Sequence, residues 1–165
     1  MDFKVGDQVI HWSFGPGEII QVDEKEVSGR KDFYYIVQTH NLTLWVPVNG
    51  GGEGSLRFLT PRSEFDQLFE ILTSPGEVLP EDRLIRKTML TERLRDGRLD
   101  SICKVVRDLN FLSRSKKLNE YDNAILERAK NFLLDEWRLA WSIPVQQAEK
   151  ELHDLLKDPA KAGHS

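Results

Sequence analysis

The sequence predicts an α+β protein, with a small Tudor- or SH3-like β module at the N-terminus and a C-terminal bundle of about five α-helices. Three observations carry this. Over residues 1–60, β-branched and aromatic residues come in short runs separated by Gly/Pro turns, with no helical stretch between them. After Pro61 apolar residues recur every three to four positions, the helical period. The length of 165 residues, 39% hydrophobic and 30% charged, suits one large globular domain or two small ones.

The strands are expected at residues 8–12 (QVIHW), 18–22 (EIIQV), 33–37 (FYYIV) and 42–48 (LTLWVPV), with a short fifth from Leu56 to Leu59. Gly15-Pro16-Gly17 and Ser28-Gly29 carry turn chemistry, and Gly50–Gly54 reads as a loop. Five short strands without helices between them suggest a strongly bent sheet. In the second half, Ser63 is placed to cap a first helix with Asp66 at its third position, and Phe65, Leu68, Phe69 and Leu72 share a face. Ser74-Pro75-Gly76 breaks it. A second helix runs from about Pro80 to Asp96, ended by Gly97, and a third from about Asp100 buries Ile102, Val105, Val106, Leu109 and Leu112. Asn119 caps a fourth, with Tyr121, Ile125, Ala129, Phe132, Leu133, Ala140 and Trp141 inward. Pro144 opens a fifth, with Val145, Ala148, Leu152, Leu155 and Leu156 inward. The expected division is a β domain over 1–60, a helical domain over 61–158 and a frayed tail over 159–165.

Catalytic and cofactor motifs do not emerge. Phe14-Gly15-Pro16-Gly17 is too short for a dinucleotide fingerprint, and no Gly-Lys-Ser/Thr follows Gly50–Gly54. His11, His40, His153 and His164 lack metal-ligand spacing, so neither a metal, a cofactor nor a small-molecule substrate is expected. Cys103 lies in an apolar helical register and reads as a packed thiol rather than a nucleophile. One cysteine allows no internal disulfide and suits a reducing cytoplasm. No apolar run reaches the roughly 18 residues of a membrane span, and the opening MDFKVGDQVI lacks a signal-peptide core.

The charge is unevenly spread. The net charge is −4, yet residues 83–117 hold eleven Lys/Arg against four Asp/Glu, a local +7. Such a block fits either a polyanion partner or a solvated helix face. Arg83, Arg86 and Lys87 fall at the start of the second helix, where the macrodipole disfavours cations, and an external anion would explain them. Arg93 and Arg107 have acidic neighbours and could pair internally. Trp45 alternates with Leu44 and Val46, so it either anchors an interface on an outer face or packs under a loop.

Several segments together resemble the CarD/CdnL transcription regulators, whose β module also occurs in transcription-repair coupling factor. They are Phe3-Lys4-Val5-Gly6-Asp7-Gln8-Val9-Ile10 with its glycine turn, Ser28-Gly29 with Phe33-Tyr34-Tyr35, Leu42 to Val48, and Gly54-Ser55-Leu56-Arg57. Val105-Val106-Arg107-Asp108-Leu109 and Leu126-Glu127-Arg128-Ala129-Lys130 continue the register, which holds from about residue 3 to 156. The resemblance implies a Tudor-like module that binds the β subunit of bacterial RNA polymerase. It also implies a helical domain that touches promoter DNA at the upstream edge of the transcription bubble and modulates the open complex. The implied polymerase contacts are Lys25, at a basic position of the second strand, and Trp45, where the family has an arginine before Val-Pro. The implied DNA contact is Arg83, with Leu84 beside it, and the basic block adds Arg86 and Lys87 to the candidate DNA contacts. Arg83 stands where studied members carry a wedge tryptophan, and an arginine stacks less well than an indole. A chain with this departure and acidic flanks also fits a second reading, a polymerase-binding adaptor without DNA function.

Overall fold

The computed structural model describes residues 3–49 and 56–157. The Gly50–Gly54 loop, Ser55, the tail from Pro159 and His164 lie outside the described residues. The chain divides into two compact units, Met1–Leu59 and Thr60–Ser165, each with its own core.

The first unit is an antiparallel sheet of β1 (Gln8–His11), β2 (Gly15–Val27), β3 (Arg30–Thr39), β4 (Thr43–Pro47) and β5 (Leu56–Phe58), in the order β4-β3-β2-β1-β5. β2 and β3 pair without interruption from Lys25↔Asp32 to Val27↔Arg30, closed by Ser28-Gly29. Both turn residues have positive φ, 52° and 79°, which suits the right-handed twist of the two strands. Gly15-Pro16-Gly17, expected as a turn, instead lies inside β2 opposite His11, Ile10 and Val9, and Trp12-Ser13-Phe14 turns the chain. Gly17 is needed for close approach: a Cβ there would stand 2.6 Å from Val37 Cγ1. A bulge between Ile19 and Gln21 leaves Ile20 half-exposed and brings Ile19 and Val22, three apart, onto one face. That face, with Val9, Tyr35, Val37 and Val46, forms the small core.

In the second unit a 3-10 turn (Arg62–Glu64) precedes α1 (Phe65–Thr73), followed by α2 (Arg83–Arg95), α3 (Leu99–Ser115), α4 (Glu120–Trp141) and α5 (Val145–Leu156). Ser63 does not cap α1. It lies within the 3-10 turn, and no side-chain bond caps the helix. Asn119 caps α4 in a reciprocal box, Asn119 Oδ1 accepting from Asp122 N (2.8 Å) and Asp122 Oδ2 from Asn119 N (3.3 Å). The core centres on Phe65, Leu72, Leu90, Val105, Val106, Leu109, Ala129, Leu133, Trp137 and Ala148. Tyr121, expected inward, is 61% exposed, because the buried face of the first turn of α4 is taken by Asp122, in line with Leu126 and Ala129. Cys103 is fully buried and burial pushes its thiol pKa up, so it is a packed residue.

Candidate functional site

On the β unit, strand alternation turns Leu44 and Val46 into the core and leaves Trp45 between them on the outer face, 42% exposed. Register places Trp45 opposite Ile36, and Tyr34 between Asp23 on one side and Pro47 on the other. The Tyr34 and Trp45 rings meet edge-on at 6.1 Å. Lys25 reaches across from β2, its Nζ 4.9 Å from the Trp45 ring centroid. Lys25 and Trp45 are thus brought together, on different strands, with the tyrosine of the intervening strand beside them. The sequence reading missed Tyr34, although its place one residue before buried Tyr35 puts it on the opposite face. β4 ends the sheet, so its outer edge has no strand neighbour among the described residues.

A second aromatic group lies at the turn after β1. His11 Nδ1 accepts from the backbone N–H of Ser13 (3.0 Å) and Phe14 (3.2 Å), and its ring lies 5.1 Å from that of Phe14. Burial lowers the His11 pKa, consistent with a neutral ring serving as acceptor.

On the helical unit, Asp82 Oδ1 caps α2, accepting from Leu84 N (2.9 Å) and Ile85 N (3.0 Å). This cap sets the helix start at Arg83 rather than near Pro80, and an aspartate just before the helical period was the signal for it. Arg83 is exposed, and Leu84 and Ile85 stand 72% and 60% exposed. Lys87, one turn on from Arg83, holds its Nζ 4.1 Å from the centroid of the Tyr121 ring on α4.

Arg86 corrects the expectation of an external anion. Its side chain is buried, 1% exposed as a residue, and forms a bidentate pair with Asp122, Nε to Oδ1 and Nη2 to Oδ2, each 2.9 Å. Nη1 donates to the carbonyls of Pro80 (3.0 Å) and Glu81 (3.3 Å). All of its reach is spent inside the protein, so Arg86 leaves the set of candidate DNA contacts. Its anion comes from α4, far along the chain, and not from outside.

The rest of the basic block is reduced in the same way. Asp108, fully buried, accepts from Glu77 N (2.9 Å), Arg107 Nε (2.8 Å) and Arg93 Nη1 (3.0 Å), while Arg107 Nη1 donates to Ser74 Oγ (3.0 Å). Arg98 pairs with Asp100, which raises the Arg98 pKa by hydrogen bonding, and Arg114 donates to the carbonyls of Leu156 and Lys157. Five of the eleven cations, Arg86, Arg93, Arg98, Arg107 and Arg114, thus have internal partners. Arg83, Arg95, Lys104, Lys116 and Lys117 are exposed, and Lys87 lies against Tyr121.

Among the described residues no cluster of three or more His, Cys, Asp or Glu side chains could hold a metal ion, and no helix is long and apolar enough to cross a membrane. Comparison with known proteins gives two family matches. The model described as the CarD-like/TRCF RID domain covers residues 3–57, and that described as the CarD C-terminal domain covers residues 67–153. The chain is also 27% identical over 151 residues to the Bacillus subtilis (strain 168) protein named "Putative transcription factor YdeB", an alignment spanning 88% of this chain and 96% of that one.

Proposed function

The chain belongs to the CarD family of transcription factors, and from that premise we propose that it regulates transcription by binding the RNA polymerase β subunit through its β unit and promoter DNA through its helical unit. The observation that carries the polymerase contact is the Lys25–Tyr34–Trp45 group beside the open edge of β4. A partner strand adding to that edge gains main-chain hydrogen bonds, and an exposed tryptophan stiffened by its neighbours is a suitable anchor. Trp45→Ala is expected to weaken binding of the full chain to the β subunit by about 1–3 kcal/mol, measured by calorimetry, with the fold unchanged. Affinity equal to that of the parent would remove Trp45 from the interface.

The DNA contact rests on the first turn of α2. Arg83 and Lys87 supply cations at i and i+4, and Leu84 and Ile85 offer aliphatic side chains to a base step at the upstream edge of the bubble. Phosphate contacts of this kind give affinity without sequence readout, and polymerase raises their effective concentration on the promoter. The double variant Arg83→Ala/Lys87→Ala is expected to bind polymerase as the parent does. On a polymerase–promoter complex, its salt slope should be shallower by about 2, one unit per lost phosphate contact. An unchanged slope would dismiss these two residues as phosphate contacts.

A second reading, an adaptor that binds polymerase without touching DNA, draws on the internal pairing of five of the eleven cations. It differs in expecting no change at the promoter DNA when the protein joins the complex.

A further inference from the structure

The helical unit packs most of its aromatic residues into its core. Phe65 and Trp137 are buried, Phe69, Phe132 and Trp141 pack against the same core, and Phe111, 40% exposed, lies against Gly76. Tyr121, on the first turn of α4, is the most exposed of them, at 61%. Its position is nonetheless fixed. The next residue, Asp122, is held in the capping box and in the bidentate pair with Arg86, and the residue after Arg86 is Lys87, whose ammonium lies over the Tyr121 ring. The amino ends of α2 and α4 are therefore locked together. The lock presents an aromatic face, a cation against it and a second cation, Arg83, one turn away.

We infer that Tyr121, backed by Lys87, is a stacking platform for an unpaired DNA base, with Lys87 and Arg83 serving the phosphates that flank it. An aromatic ring beside cations recognises single strands because every base has a π-face, which a closed duplex conceals between its stacked pairs. A purely apolar protein partner would gain nothing from the two cations, whereas a polyanion uses both. Asp82, which caps α2, has its Oδ1 occupied by two backbone N–H groups. The inference rests on the proposed DNA contact of the helical unit and adds to it a residue from α4 and a preference for melted over paired DNA.

The test uses the full chain and polymerase bound to either of two promoter fragments, a fork with single-stranded arms or a blunt duplex of the same sequence, with polymerase alone as reference. Tyr121→Ala is expected to lower affinity for the polymerase–fork complex about tenfold, while Tyr121→Phe keeps it. Neither variant should alter affinity for polymerase alone or for the polymerase–duplex complex. Equal loss on polymerase alone would mean that Tyr121 docks protein, and would overturn the inference. Parental affinity of Tyr121→Ala on every complex would also overturn it. In that event the Arg83→Ala/Lys87→Ala variant separates the two ideas: weakened binding to both DNA complexes leaves the DNA contact standing without the platform, and unchanged binding removes both. Tyr121 is exposed, so its variants should melt with the parent; a variant that does not is replaced by Lys87→Gln, expected to weaken fork binding in the same direction.

Discussion

Asp122→Ala is expected to destabilise the helical unit by about 3–5 kcal/mol, because it leaves the Arg86 guanidinium buried without its anion. The carboxylate accepts from Arg86 Nε, Arg86 Nη2 and Asn119 N, so the variant also opens the capping box at the start of α4. The carbonyls of Pro80 and Glu81 still accept from Nη1 but carry no net charge. Arg86→Ala should cost a similar amount, since the buried carboxylate then loses its cation. Replacing both by apolar residues of similar volume, Arg86→Met with Asp122→Leu, should cost much less than either single change. For a domain of this size each kcal/mol lowers Tm by about 4–8 °C, so a thermal melt resolves the differences. Losses of about 1 kcal/mol or less in both single variants would show that the pair does not hold the two helix ends.

Asp108→Ala should be nearly as damaging, at about 3–5 kcal/mol. Three donors from three places converge on this fully buried carboxylate: a backbone N–H ahead of α2, a side chain of α2 and its own neighbour on α3. Without it Arg107, itself buried, keeps only Ser74 Oγ and a 4.0 Å approach to Glu77. Asp108→Asn retains an acceptor but not the charge and should cost about 2 kcal/mol. Urea unfolding checks the order, Ala worse than Asn, with an unchanged m-value confirming that stability alone has moved. If the two variants are equally stable, charge is not what Asp108 contributes.

These two residues also show why the fold was more legible than the site. Hydrophobic period gave the strands and helices, and Asn119 marked its helix because capping is local chemistry. The β2–β3 arm beyond Glu24 was not legible as strand. Its charged residues lie on both faces of a ribbon that has no further sheet neighbour among the described residues, so no apolar alternation exists to be read. The bulge at Ile20 hid the common face of Ile19 and Val22 for a related reason, since it shifts the period of two by one residue. Arg86 was misread because its partner lies 36 residues away, and helical spacing along α2 says nothing about which anion meets it. Tyr121 was placed inward by its i, i+4 spacing to Ile125, but the inward position of that turn belongs to Asp122, a polar residue that an apolar pattern does not reveal. Lys25 and Trp45 were named from resemblance, but their meeting depends on strand order, which brings β2 and β4 to either side of β3.

The measurement that bears most directly on the proposed role is a hydroxyl-radical footprint of a polymerase–promoter complex with and without the full chain. The expected result is added protection at the upstream edge of the melted region, present only with polymerase, diminished by Arg83→Ala/Lys87→Ala, and lost with Trp45→Ala at subsaturating protein. An unchanged footprint, with the protein demonstrably bound to polymerase, would contradict the DNA contact and leave the adaptor in its place.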